Sequence, residues 1–308
     1  MAYIVESIIY YIITISLAPL FLAIIDKIKA LSVGKKGPSL FIKYYDLVRF
    51  LKKGLVYSKN TTWIFRFAPL IIIAVYLIAL LFFPIAGETP IISFSYDFIV
   101  VVYLFALSRF FLLLSSLNTA SSFEGMGASR EAFMSFLAEG SLFMTFILAV
   151  KLTGAPSLMG ILGNVGAQVL WHQAGIFAIL SIIVMFMILI VENARKPIDD
   201  PDTHLELTMI HEVMILDNSG PDLGLMELGT FLKFIFFGGI LSRLIFPVAF
   251  NIGALNYLVF IAGLLVVSFA VGIIESIGVR YKIPKNTTFL MTSFAIATLA
   301  LIFSIGVE

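Results

Sequence analysis

Four glutamates stand where protons could move. Glu139 lies inside an apolar run, Glu192 closes another, Glu227 opens a third, and Glu206 sits between leucines in the segment that joins the last two. Burial in low dielectric raises a carboxyl pKa toward neutrality, which turns the group into a usable proton carrier. Glu192 to Glu227 also holds nine of the chain's 19 acidic residues, opposed only by Arg195 and Lys196. So acidic a loop between hydrophobic helices is costly to keep near a bilayer unless protons, ions or a partner use it.

Glu139 follows Arg130 by nine residues, which sets it roughly 13 Å along a helix axis. Ser135 lies one turn earlier on the same face, as suits a hydrogen-bonded water path. Two readings stand: a proton relay, or a static ion pair with Arg109 of the preceding span or with Lys151. In the acidic segment, Asp202 or Thr203 is placed to cap a helix running to about Leu216. On that helix His204, Thr208, His211 and Glu212 share one face, Met209, Ile210 and Val213 the other, with Glu206 in the middle of the apolar face. A carboxyl there must be protonated, paired or beside water. It is a second titrating site, or else a salt bridge to Arg195 that fixes the loop. Together Glu139, Glu192, Glu206 and Glu227 could form a file of carboxyls leading into the membrane. Pro197, Pro201 and Pro221 break the connection into rigid pieces. Asp199, Asp200, Asp217 and Asp222 read from their local setting as loop caps or partner contacts. His204 and His211 could tune the path near neutral pH, or lie on the surface.

The elements that must position these groups are apolar helices. The chain has 308 residues, 60% of them hydrophobic and 13% charged, with 30 Phe. It is expected to be an all-α polytopic membrane protein with about eight transmembrane helices, near residues 3–28, 66–84, 96–117, 132–153, 174–194, 224–249, 254–279 and 286–306. The whole of 1–308 reads as a single integral membrane domain. Residues 1–30 lack a basic start and a small-residue cleavage site, so the first span is expected to be retained. Fifteen of the 20 Lys and Arg fall in alternate connections, and none in those around 85–95, 154–173 and 250–253. The positive-inside rule then puts both termini outside the cell membrane and the 192–227 loop in the cytoplasm. From Pro38 to Lys53, apolar residues alternate with Lys43, Asp46, Arg49, Lys52 and Lys53 at helical spacing. That pattern predicts an interfacial amphipathic helix at 38–53, a lipid anchor, a cradle for a docked subunit, or both. No internal repeat supports an inverted-repeat transporter. Cysteine is absent, so an iron-sulfur cluster, a nickel-iron centre or a cysteine-ligated zinc must belong to partners. The three histidines, His172, His204 and His211, lack the pairing of a bis-histidine haem. No cofactor or metal is expected on this chain, and its partners are protein and bilayer, not nucleic acid.

Three strings carry a family resemblance: ENARKPIDDPDTHLELTMIHEVMILDNSGPDL from Glu192, the Gly-x-x-Gly-Pro of Gly34 to Pro38 followed by YYDLVRFLKKG, and EGMGASREAFMSFLAEGSL at 124–142. They resemble the H-type membrane subunit of respiratory complex I (the NADH dehydrogenase subunit 1 type). They are closer still to its counterpart in formate hydrogenlyase and other energy-converting membrane-bound nickel-iron hydrogenases. The resemblance spans essentially the whole chain. It implies a non-catalytic subunit of an oxidoreductase complex that anchors soluble NiFe-hydrogenase-like large and small subunits and joins them to antiporter-like membrane subunits. Fe-S clusters and the NiFe centre would sit on those partners. It also implies that the acids matching Glu139, Glu192, Asp199, Asp202 and Glu206 belong to a proton path beneath the redox site. With Glu212 and Glu227 these make the expected path. Arg109, Arg130, Glu131, Arg195, His204, His211, Asp46 and Arg49 are expected to support it or to dock partners.

The chain departs from quinone-reducing members by carrying His204 where those usually have a further acid. This weakens a quinone pocket and leaves the equivalent subunit of a quinone- or sulfur-reducing respiratory complex as the alternative. An autonomous secondary transporter is the third reading, with the missing repeat against it.

Overall fold

A computed structural model of the chain describes residues 2–200, 209–250 and 252–306. Among them the elements are helices and short turns, and eight helices are long and apolar enough to cross a membrane. The spans are α1 (Ala2–Ser32), α3 (Trp63–Leu81), α4 (Asp97–Asn118), α5 (Ser122–Thr153), α7 (Asn164–Glu192), α8 (Gly220–Ile245), α9 (Gly253–Ile277) and α10 (Ile283–Ile305). Two shorter helices, α2 (Ile42–Lys52) and α6 (Leu158–Leu162), lie between them. The expected eight spans are present, with some boundaries moved. Helix α5 starts at Ser122 rather than near 132, because Glu124, Arg130 and Glu131 find partners inside the bundle and need no water.

Alternation of the spans gathers the ends of α1, α4, α7 and α9 and the starts of α3, α5, α8 and α10 on one side, called here the loop-rich face. Helix α8 is the axis of the bundle. It is apolar around most of its circumference, and 83% of its spanning window is buried, in contact with α1, α2, α3, α7 and α9. A helix hydrophobic on every side belongs in the interior. Its Phe236 and Phe237 stack around Phe105 of α4, with ring centres 4.9 and 5.0 Å away, and Phe83 closes the cluster from the other side. Within lipid the apolar surfaces gain little by leaving their surroundings, so such close packing and buried hydrogen bonds must hold the helices together. Outward, Ile8, Ile12, Leu70, Tyr103, Leu258 and Phe303 are exposed, as a lipid-facing surface requires.

Helix α2 lies on the loop-rich face and starts at Ile42, four residues later than the pattern from Pro38 suggests. The reason is the Gly-x-x-Gly-Pro turn. Gly34 and Gly37 both take positive φ, and an added Cβ at Gly37 would stand 2.9 Å from Ala30 Cβ, so the chain reverses tightly against the end of α1 before it can wind again. Tyr44 Oη then donates to Ser16 O at 2.6 Å, and Phe50 packs over Gly224 of α8. Phe41, Tyr45, Val48 and Leu51 remain exposed along the other side, an apolar stripe at helical spacing.

The helix expected from Asp202 or Thr203 to Leu216 is not what its described part forms. Residues 209–216 hold one 3₁₀ turn, Glu212–Ile215. Asp199 Oδ2 accepts the backbone N–H groups of Ile210 and His211 at 3.1 and 3.0 Å, which diverts donors that a continuous helix would spend on carbonyls four residues back. The two-face assignment of Met209, Ile210, His211, Glu212 and Val213 falls with the helix. Asp202, Thr203, His204, Glu206 and Thr208 lie outside the described residues.

Candidate functional site

Arg109 organises the interior of the bundle. Its position on α4 points the guanidinium between α5 and α7, where the side chain is 8% exposed. Nη1 donates to Glu139 of α5 and Nη2 to Glu192 at the end of α7, while Glu131 Oε1, two turns before Glu139 on α5, lies 3.9 Å from Nε. Glu192 Oε2 in turn stands 3.7 Å from Lys233 Nζ of α8. Four helices thus contribute three carboxyls and two cations to one cluster. Arginine suits the centre because its planar fork serves several carboxylates at once and stays charged. Of the two partners considered for Glu139, Arg109 is the one found; Lys151 instead donates to Ser304 O at 2.6 Å. Ser135 Oγ donates to the carbonyl of Glu131 on its own helix. The Glu139 side chain remains 30% exposed, toward an apolar groove of 490 Å³ between α4, α5 and α10.

A second site opens on the loop-rich face. A polar cavity of 190 Å³ is bounded by Asp26, Lys43, Arg195, His211, Glu212 and Glu227. Lys43 Nζ pairs with Asp26 at 3.1 Å across its mouth. Burial, with Glu227 and Asp199 nearby, pushes Glu212 from the usual carboxylate range up to about 7. Burial, with the charges of Lys233 and Arg109, lowers His211 to about 3. His211 is therefore held neutral and does not titrate near pH 7 or sit freely on the surface. Glu227 presents a buried oxygen without a hydrogen-bond partner to the same region. Asp46 and Arg49 pair with one another on α2 at 3.4 Å, half in solvent.

The remaining sequence-selected groups hold the connection in place. Asp199 binds Arg280 at 2.8 Å as well as the two backbone N–H groups, and Tyr281 N donates to Pro197 O at 2.7 Å. Arg130 Nη1 donates to Met209 O at 3.1 Å. Arg195 reaches Glu275 Oε1 of α9 at 3.4 Å, and Lys29 of α1 reaches the other oxygen at 3.2 Å. Glu275 is fully buried, and with Lys233 and Glu124 it was missed by sequence reasoning. The signal was present for Glu275 and Lys233, each a lone ionisable residue within an apolar run; Glu124, between two expected spans, carried no such mark. Glu124 takes the hydroxyl of Thr119 and the backbone N–H of Asp217, pinning the start of α5 to the segment before α8. Gly127 makes room for that segment, since an added Cβ would collide with Val213. Of the four carboxyls expected to form a file, Glu139 and Glu192 meet at Arg109, Glu227 lines the separate cavity, and Glu206 lies outside the described residues.

Among the described residues no three His, Cys, Asp or Glu side chains gather as a metal site. The chain is similar to two proteins of Escherichia coli (strain K12): formate hydrogenlyase subunit 4, 28% identical over 71% of this chain and 69% of that one, and hydrogenase-4 component C, 27% identical over 77% and 73%. Its fold matches a chain in the structure of the membrane-bound sulfane sulfur reductase, an archaeal respiratory membrane complex, with a TM-score of 0.79 over 98% of this chain and 99% of that one at 19% identity. The NADH dehydrogenase family model matches residues 5–306, and the chain belongs to that family, the complex I subunit 1 type.

Proposed function

We propose that this chain is the membrane-anchoring, ion-coupling subunit of a complex I-related membrane-bound hydrogenase, and that the Arg109 cluster is its proton-handling element. The observation that carries the reading is one guanidinium shared by Glu139, Glu192 and Glu131, with Lys233 behind Glu192. Three carboxylates against two cations leave one surplus negative charge when all are ionised. One proton taken up by a carboxyl neutralises the cluster, and Arg109 then favours the carboxylates still charged. Such a group has two charge states and a side chain able to redistribute between them, which is what a coupling element needs.

The cluster includes Glu192, the residue at which the acidic connection begins, and on that connection the soluble large and small subunits would dock. A change of charge in that docked arm would reach Glu212, Glu227 and then the Arg109 cluster. From Glu139 the proton would leave toward antiporter-like subunits seated against the groove of α4, α5 and α10. Both termini would lie outside, with the loop-rich face in the cytoplasm, as the distribution of Lys and Arg favours. The names of the Escherichia coli relatives support hydrogenase-type partners, whose Fe-S and NiFe centres would do the redox chemistry.

The test is Glu139→Gln in the assembled complex, which keeps the shape and removes the titration. Electron transfer from an artificial donor should persist while gradient formation in proteoliposomes is lost; a normal gradient would make Glu139 purely structural. Mass spectrometry of the wild-type complex, with a hydrogen-evolution assay on the same sample, separates a hydrogenase from a quinone- or sulfur-reducing assembly.

A further inference from the structure

Outside the two acidic sites, the loop-rich face carries a cleft of 430 Å³ between the end of α9 and the start of α10. Its wall contains Arg280, Lys282 and Lys285, three cations within six residues, together with Pro197 and Tyr281. Lys282 and Lys285 are exposed, and among the described residues neither stands in an ion pair. Beside them Ile277, Val279 and Ile283 are exposed as well. The cleft therefore combines a cationic pocket with an apolar rim at the level where two spans end. In water such a rim has no use; at a bilayer surface it meets acyl chains while the cations meet headgroups.

We infer that this cleft binds the phosphate headgroup of an anionic glycerophospholipid, held by Lys282 and Lys285 in front of Arg280. The apolar rim is what selects a lipid over a free phosphate ion. The site also touches the mechanism of anchoring. Arg280 holds Asp199, Asp199 holds the backbone of Ile210 and His211, and Tyr281 N holds Pro197 O. A phosphate drawing on Arg280 thus shares the cation that fixes the connection between α7 and α8. The inference requires only a membrane protein and does not rest on the coupling reading above.

The purified complex, delipidated in neutral detergent, should regain phosphatidylglycerol but not phosphatidylcholine in native mass spectrometry. Lys282→Gln with Lys285→Gln should weaken that binding roughly thirtyfold, from the usual contribution of two surface cations to anionic-lipid binding. Lys282→Arg with Lys285→Arg should restore it. In the wild-type complex, phosphatidylglycerol should slow amine labelling of both lysines. Equal phosphatidylglycerol retention by the Gln variant overturns the inference. So does equal protection by inorganic phosphate, which would mean a free-anion site. Lysines blocked to labelling in the delipidated complex also overturn it, since a partner subunit would then cover the cleft.

Discussion

The two acidic sites differ in how their charge is held. Around Arg109 the carboxyls stand on transmembrane helices and meet cations directly, so the charge is shared among ion-pair partners. Around the cavity, Glu212 stands on a short turn and Glu227 on the first turns of α8, facing one another without a direct cation. Helices give the first site geometry; the connection gives the second its shifted proton affinity. Desolvation with a counterion stores charge, whereas desolvation with a like charge stores a proton.

The largest break in that contrast is Arg109→Gln. It strands Glu139 and Glu192 without their shared partner and should cost at least the roughly 3–5 kcal/mol of an opened buried pair. Thermal unfolding and yield of the detergent-solubilised complex would register it. Glu275→Gln should cost about 2–3 kcal/mol, because Arg195 and Lys29 both lose a charged acceptor. Limited proteolysis of the connection before α8 would show the loosening. A retained resistance to protease would make Glu275 dispensable for loop anchoring.

Smaller still is a pair of opposed pH effects in the cavity. Glu212, raised from 4.5 to about 7, binds a proton in the folded state that the unfolded chain has released, so its stability contribution is lost as pH climbs through 7. His211, lowered from 6.5 to about 3, binds fewer protons when folded, so its contribution is lost as pH falls below 6.5. Each amounts to about 1 kcal/mol between about pH 6 and 7.5, with opposite sign. Glu212→Gln should therefore uncover stability that rises with pH, and His211→Gln stability that falls. Melting curves at several pH values that stay parallel in both variants would refute the assignment. The smallest effect expected is from Arg49→Ala: its exposed pair with Asp46 is worth at most about 0.5 kcal/mol to folding, within the error of a melting curve.

The eight spans were legible because an apolar run of bilayer length has few alternatives. Glu139 was legible for the complementary reason, an ionisable group in such a run. The partnerships were not. Arg109 to Glu192 and Arg195 to Glu275 join residues some eighty positions apart, and a single sequence carries no record of which helices face each other. The segment before α8 misled for another reason. Its residues keep a helical period, yet Asp199 claims the backbone donors of residues 11 and 12 positions downstream that a helix would need. A local pattern lost to a side chain outside its window.

The encasement of α8 has a mechanical consequence. A helix packed on nearly every side cannot turn or slide without unseating several neighbours at once, because close-packed interiors yield in discrete steps. Lys233 and Arg243 ride on that helix as immobile charges. In the proposed coupling, whatever shifts as a proton enters or leaves would shift relative to them: the guanidinium of Arg109, the carboxyls around it and the turn at Glu212. On that proposal helix α8 would be the stator of this subunit, with moving parts on the scale of side chains.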